Sequence, residues 1–303
     1  MVRNPDDCVA LQHDLNLLTN WSNEWGLSFN SNKCEILRIS RKKRSLLDSP
    51  IDIPYTINNH PLALVSWSKD LGVWVNDKLT WSPQISSVVA KANKTLGFLY
   101  RHFGSSYIGP AQRKLLYLSL VRSHLSYASE IWAPQSCITD LKQLENVQRR
   151  ATRFILSCSR DPNIRPNYKT RLIALKLLPI SYWLECRDLC FAFKCINGLL
   201  NVQFDKYIQI SSGRTRSSSE NLNLYPIHRY RTSLFRDSFF NRIVKLWNSL
   251  PLQTRKSPTF NSFKINLYKH YFSKLDNIFD TDRLNTWKTI CPYCRSVNRL
   301  SCC

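Results

Sequence analysis

The chain has 303 residues, of which 43% are hydrophobic and 12% aromatic, a content that fits two domains with a buried core and excludes wholesale disorder. Its 43 Lys and Arg stand against 21 Asp and Glu, a net charge of +22, and such self-repulsion persists where the partner is a polyanion, either nucleic acid or an anionic membrane surface. The 7 glycines argue against a glycine-rich phosphate-binding enzyme. No apolar run reaches the roughly 20 residues that span a bilayer, and the polar opening Met1–Asp7 does not read as a signal peptide. The expectation is an intracellular protein, nuclear or cytoplasmic, without a membrane partner. Its 11 cysteines, scattered over apolar helical faces, fit a reducing compartment with buried thiols and one candidate metal cluster.

From Asp7 the residues Cys8, Leu11, Leu15, Leu18, Trp21 and Trp25 recur at three- and four-residue steps, which predicts an amphipathic helix capped by Asp6 or Asp7 and ended by Gly26. Short extended segments follow at Cys34–Ser40, Tyr55–Asn58, Pro61–Trp67 and Leu71–Val75, with a turn at Asn58-Asn59. The basic run Arg41–Arg44 reads as a connecting loop, solvated or touching phosphate. After Trp81 the period becomes helical. Ile85, Val88, Ala92, Leu96, Leu99 and Phe103 form one stripe, with Lys91, Lys94 and Arg101 off it. A second helix is predicted over Ala111–Tyr127 and a third over Thr139–Cys158, the latter turning Lys142, Arg149 and Arg153 outward. The polar stretch 161–169 reads as a linker. Leu172–Leu178, Tyr182–Ile196, Phe235–Trp247 and Phe260–Phe272 are further helical candidates, and Ser211–Asn223 is a polar loop.

Several of these stretches together resemble one family. Trp25-Gly26-Leu27-Ser28-Phe29-Asn30-Ser31-Asn32-Lys33-Cys34-Glu35 is similar to the segment after the catalytic aspartates of non-LTR (LINE) retrotransposon reverse transcriptases, motif D. Lys69-Asp70-Leu71-Gly72-Val73 resembles their primer-grip hairpin, motif E. Lys91-Ala92, Leu96-Gly97-Phe98-Leu99, Leu120-Val121-Arg122-Ser123 and Val147-Gln148-Arg149-Arg150-Ala151-Thr152-Arg153 resemble the thumb of jockey and chicken-repeat type elements. Leu246-Trp247-Asn248-Ser249-Leu250-Pro251 with Phe263-Lys264 resembles the region beyond that thumb. The matches run in family order over nearly the whole chain.

The resemblance implies an α+β protein. Residues 1–80 would form a partial palm, a small antiparallel sheet with one helix. A helical thumb would span 81–160, a basic, mostly helical C-terminal domain 161–290, and a cysteine-rich tail 291–303. It places Lys33 where the family has a lysine that aids phosphoryl transfer by meeting charge on the departing pyrophosphate. It also places Leu71, Gly72 and Val73 where primer backbone approaches a tight hairpin. Polymerisation needs two metal ions held by carboxylates from separate strands. The family's aspartate before the long helical region and its aromatic-Ala-Asp-Asp turn have no counterpart here, and Asp6-Asp7 reads as a helix cap. Mg²⁺ would therefore serve only the complete polymerase. The expected function is to hold template–primer nucleic acid as a polymerase fragment that is inactive alone. The alternatives are a segment of an active enzyme whose other half is missing, and a helical basic interaction scaffold.

The residues themselves supply the binding surface. Between Lys142 and Lys176 nine Lys and Arg stand against Glu145 and Asp161. Helical spacing gathers Lys142, Arg149 and Arg153 on one face, a row of cations that can neutralise successive phosphates and release counterions; with Lys91 and Lys94 as further candidate contacts, this suits an RNA–DNA hybrid or other nucleic acid gripped by its backbone. Arg229, Arg231, Arg236, Arg242 and Lys245, interleaved with Tyr230, Phe235 and Trp247, form a second cluster able to stack on bases, while Phe239 and Phe240 read as core. Cys291 and Cys294 form a Cys-x-x-Cys knuckle that with Cys302 and Cys303, or with His270 replacing one of them, makes a candidate structural zinc set. The other reading is exposed thiols on a terminus. Cys186, Cys190 and Cys195 lie on an apolar helix and read as packing residues.

Overall fold

The computed structural model describes residues 5–39, 55–104, 108–135, 137–158, 166–211 and 222–277, and divides the chain into one unit up to Trp81 and another from Ser82 onward. The protein is mixed α+β, mainly helical, with small strand pairs. Among the described residues no helix is long and apolar enough to cross a membrane.

In the first unit, α1 spans Pro5–Glu24. Asp6 and Asp7 lie inside its first turn rather than at the cap, where their carboxylates meet the partial positive charge of the helix N-terminus. Gly26 ends α1 in the left-handed region (φ 66), and the Leu27 amide returns to the Ser22 carbonyl at 2.8 Å. The predicted apolar stripe is there, but only Cys8 of it is buried. Leu18, Trp21 and Trp25 are exposed, Trp25 by 68%.

Among the described residues the predicted small antiparallel sheet is formed as three separate ladders. β1 (Glu35–Leu37) pairs in parallel with β4 (Ala63–Val65), a pairing that the long intervening segment permits. β2 (Thr56–Ile57) and β3 (His60–Pro61) pair antiparallel about Asn58-Asn59, both at positive φ. Gln12 locks α1 to β2 by accepting from the Thr56 amide at 2.9 Å and donating to its carbonyl at 3.0 Å. β5 (Trp67–Asp70) and β6 (Val73–Asn76) form an antiparallel hairpin. The strand expected to start at Leu71 therefore starts at Val73. Leu71 and Gly72 make the turn.

In the second unit the stripe of α2 (Ser82–Phe103) buries Ile85, Val88, Ala92, Leu96 and Leu99, each large side chain contributing about 1.5–3 kcal/mol. The predicted second helix runs from α3 (Pro110–Leu116) through a π-helical turn at Tyr117–Val121 into α4 (Arg122–Ser126). Short α5 (Ser129–Trp132) precedes α6 (Ile138–Ile155). α7 (Tyr168–Leu175) begins inside the expected linker because the Asn167 side chain caps it, accepting from the Thr170 amide at 2.8 Å.

α8 (Ile180–Ile196) ends at Gly198 (φ 67). An unanticipated antiparallel pair, β7 (Ile208–Ile210) with β8 (Leu224–Pro226), brackets the predicted polar loop, of which residues 212–221 lie outside the described residues. The predicted Phe235–Trp247 helix is split at Ser238 into α9 (Ser233–Arg236) and α10 (Phe239–Asn248). α11 (Leu252–Arg255) leads to α12 (Phe260–Ser273), capped by Thr259. α8, α10 and α12 share a core of Leu189, Phe193, Ile243, Trp247, Phe263 and Leu267.

Deep in this unit Arg242 grips Asp188 with two hydrogen bonds of 2.8 and 3.0 Å, both side chains almost wholly buried. Arg242 also donates to the Glu130 carbonyl at 2.7 Å, tying α10 to α5 and α8. Removing one partner leaves an uncompensated buried charge, so Asp188→Asn should cost about 3–5 kcal/mol. Arg187→Met, which breaks the more exposed Glu130 pair, should cost no more than about 1 kcal/mol. Urea unfolding midpoints of the two variants would check the contrast.

Candidate nucleic-acid interface

α2 and α6 run side by side in the same direction. Near their starts Ser82 Oγ donates to Asp140 Oδ2 at 2.8 Å. Further along Arg150 Nη1 donates to Asn93 Oδ1 at 3.0 Å, and near their ends the Tyr100 and Phe154 rings meet at 4.9 Å. Both C-termini therefore lie at one end, bringing Arg101 and His102 of α2 to the level of Arg153 of α6, where cations favour the helix dipole. Tyr100 lies among these charges and donates its hydroxyl to the Arg150 carbonyl at 3.0 Å. Burial raises its phenol pKa against the pull of Arg153, Arg150 and Arg171.

The predicted cations take different places in this arrangement. Arg149 is half-buried and stacks its guanidinium over the Tyr168 ring at 4.3 Å. Arg153 folds Nε back onto the Arg149 carbonyl at 3.2 Å. Arg150, given no role from sequence beyond the motif, is the exposed arginine of the group. Lys142 is half-buried two turns earlier on α6. Lys91 and Lys94 are exposed, but helical geometry turns Lys91 to the opposite side of α2 from Tyr100. The structure thus gathers Arg149, Arg150 and Arg153 and leaves Lys91 on another face, while Lys94 lies two turns before Arg101 on the same side of α2.

Several arginines that swell the charge count serve the interior. Arg171 is buried and donates to Thr152 Oγ1 at 3.1 Å and the Pro166 carbonyl at 2.5 Å. Arg113 donates to the Phe154 carbonyl at 3.3 Å and to the Ser157 hydroxyl. Arg122 reaches the Leu178 carbonyl at 3.3 Å and lies over the Trp183 ring at 4.1 Å.

Beneath the arginine face is a buried polar junction that the charge pattern did not reveal. Glu145 Oε1 accepts from the Tyr168 hydroxyl, and Oε2 accepts from the Ile180 amide at 2.8 Å. Gln148 accepts from the Tyr117 hydroxyl at 2.8 Å and donates to the Leu178 carbonyl at 2.9 Å. The sequence carried one sign of it: Glu145, Gln148 and Thr152 fall at helical spacing within the inward stripe of α6. Burial pushes the Glu145 carboxyl above the ordinary carboxylate range, although the Tyr168 hydroxyl, the Ile180 amide, Arg149 and Arg122 favour its anion.

In the first unit Lys33 is exposed at the end of a 3₁₀ turn, Ser31–Lys33, whose start Asn30 caps. Leu71 and Gly72 form the β5–β6 turn at φ 43 and 88, the left-handed pair that a tight hairpin requires. Leu71 is 86% exposed at the tip, whereas Val73 points inward and is buried. Val73 thus supports the hairpin and does not offer a contact surface.

The second expected cluster does not form one surface. Arg242 is the buried partner of Asp188, Arg236 pairs with Asp237 at 2.9 Å, and Trp247 is core with its indole donating to the Leu222 carbonyl at 2.8 Å. Phe239 and Phe240 pack against the core, as the sequence reading has it, and Tyr230 and Phe235 remain exposed. Cys186 and Cys195 are buried and Cys190 half-buried. His270 packs edge-on against Tyr271 at 5.6 Å. Cys291, Cys294, Cys302 and Cys303, and the Arg41–Arg44 run, lie outside the described residues. Among the described residues no group of metal-ligating side chains converges.

No family model, curated protein or solved structure matches the chain.

An acid whose folded pKa is raised stabilises the fold fully below its unfolded pKa and loses that contribution as pH rises toward the folded value. Glu145→Gln removes this titration and leaves one acceptor oxygen for two donors, the Tyr168 hydroxyl and the Ile180 N–H, a loss of about 1–3 kcal/mol. The variant's deficit relative to the parent chain should be greatest below pH about 4.3 and shrink toward neutrality. Urea midpoints measured across pH would show it, and a deficit that grows with pH would contradict the assignment.

Proposed function

We propose that this chain holds template–primer nucleic acid, an RNA–DNA hybrid in particular, as a fragment of a non-LTR retrotransposon reverse transcriptase that lacks the polymerising carboxylates. The observation that carries this reading is the group Arg149, Arg150 and Arg153 at the C-terminal end of α6, beside Tyr100 and the basic end of α2. Arginines held by stacking and backbone contacts lose little conformational freedom when they meet phosphate. A helical face of this kind grips a duplex through its backbone without reading sequence. Two further features support the reading: the net charge of +22, and the family-like order of motifs D and E and the thumb-like segments. The 303 residues contain no aromatic-Ala-Asp-Asp, and Asp6-Asp7 sit in the first turn of α1. Two-metal chemistry would need carboxylates from elsewhere.

A second reading, in which the chain is one segment of an active polymerase, is favoured by a different observation. The apolar face of α1, with Leu17, Leu18, Trp21 and Trp25, is exposed, and a further polypeptide segment would remove that surface from water.

Gel-shift titration with a hybrid duplex across about 50–200 mM salt tests the first reading. Arg150→Glu, and the triple exchange of Arg149, Arg150 and Arg153 for Glu, should weaken binding by about tenfold or more for the triple variant. The salt slope should fall by about one for each phosphate that is no longer neutralised. Unchanged affinity and slope, with helical circular dichroism retained, would defeat the proposal. The purified chain should incorporate no nucleotide with Mg²⁺ or Mn²⁺. Incorporation abolished by exchanging Asp6 and Asp7 for Asn would overturn the non-catalytic reading.

A further inference from the structure

Between α8 and α12 lies a cleft of about 460 Å³ that the proposed hybrid face does not use, within the size range of small-molecule sites, about 300–1,000 Å³. Its walls include four aromatic side chains, Trp183, Phe191, Phe260 and Tyr268. Three cations, Arg187, Lys194 and Lys264, lie on the same lining, where the acid is Glu130. Glu130 is committed to Arg187 at 3.0 Å. The charge balance of the lining is therefore set by the two lysines.

Lys194 of α8 reaches toward α12, where Lys264 lies one turn beyond Phe260. Lys194 Nζ lies 4.6 Å from the centroid of the Phe260 ring. Burial pushes the Cys190 thiol up to about 11, against the pull of Lys264, Lys194 and Arg187. Cys190 lies on the same lining as the three cations. Cys190 and its neighbour Cys186 stay neutral, so no thiolate offsets the lysines.

We propose that this cleft binds a nucleoside monophosphate unit, its base between the aromatic walls and its phosphate on Lys194 and Lys264. Flat rings stacked on aromatic side chains gain contact with any base, because every base has a π-face. A phosphate recruits lysines as point charges through charge-assisted hydrogen bonds. An aliphatic chain would use the apolar walls but not the lysines, and a bare anion would use the lysines but not the rings. The site is separate from the arginine face of α6 and does not depend on how that face binds a hybrid.

The same unit occurs as a free nucleotide and as the end of a single strand, so the test has two arms. The full chain is titrated with 2-aminopurine deoxynucleoside 5′-monophosphate, and separately with a short single strand ending in 2-aminopurine. Quenching of the base fluorescence reports stacking. Saturable quenching by either probe is the expected result, and the stronger arm identifies the source. The nucleoside without phosphate, and inorganic phosphate as a competitor, should each bind at least about tenfold more weakly than the probe. Lys264→Glu, on an exposed position of α12, and Lys194→Ala should each weaken binding by about tenfold. The half-buried Phe260→Ala should reduce the quenching itself. Iodoacetamide labelling of Cys190, read by peptide mass, should slow when the nucleotide is present. Absence of saturable quenching in both arms overturns the proposal. So does binding that is indifferent to both lysine variants in chains that keep their helical spectrum, or displacement of the probe by laurate or inorganic phosphate as readily as by the nucleotide.

Discussion

Taking the Glu145 carboxylate out of water is unfavourable unless each oxygen finds a donor, and here the donors come from parts of the chain far from α6. Tyr168 arrives at the start of α7 and the Ile180 amide at the start of α8. Gln148, one turn along α6, takes the Tyr117 hydroxyl from the π-helical turn and gives its amide to the Leu178 carbonyl. The junction therefore fixes α6 rotationally against three other elements. An apolar stripe alone tolerates small rotations and slides of a helix; a buried acid that must meet a particular amide narrows them further. The position of the arginines on the outer part of α6 follows from that constraint. Arg149 stacks on the same Tyr168 whose hydroxyl serves Glu145.

The basic residues divide into two populations. Arg113, Arg122, Arg171 and Arg242 are buried, with their guanidinium groups donating to carbonyls, hydroxyls or Asp188. They hold helices together and place carbonyl-rich loops. Arg150, Lys91, Lys94 and Lys264 are exposed and are available to an anion from outside. Arginine suits the first task because its planar fork satisfies several acceptors at once and it is less strongly hydrated than lysine. The charge excess thus overstates the phosphate-facing surface, and the interface proposal rests on the smaller group at the ends of α2 and α6.

The first unit has a different balance. Among its described residues the buried set is small: Cys8, Ser22, Tyr55, Ile57, Val73 and Asn76. Short ladders are joined by the Gln12 clamp and by left-handed turns. The exposed tryptophans of α1 and the exposed Leu71 leave apolar surface in water that the ladders cannot cover.

Where the long helices run is dictated by local sequence, because apolar residues at three- and four-residue spacing can share a face only in a helix. α2, α8 and α12 lie within two residues of their predicted ends, and Gly26 and Gly198 end helices because they enter left-handed φ without a Cβ penalty. The mixed class and the turn at Asn58-Asn59 were legible in the same way. Which helical face meets a partner was not. The stripe of α1 and the stripe of α2 look alike in sequence, yet one is largely exposed and the other buried, since burial depends on what else packs there. Equally hidden were the parallel β1–β4 pairing, the separation of Lys91 from Arg149, and the burial of Glu145 and Arg242. Those outcomes are set by contacts between residues tens of positions apart, so whether a charge faces water or a partner emerges only once the whole chain has packed.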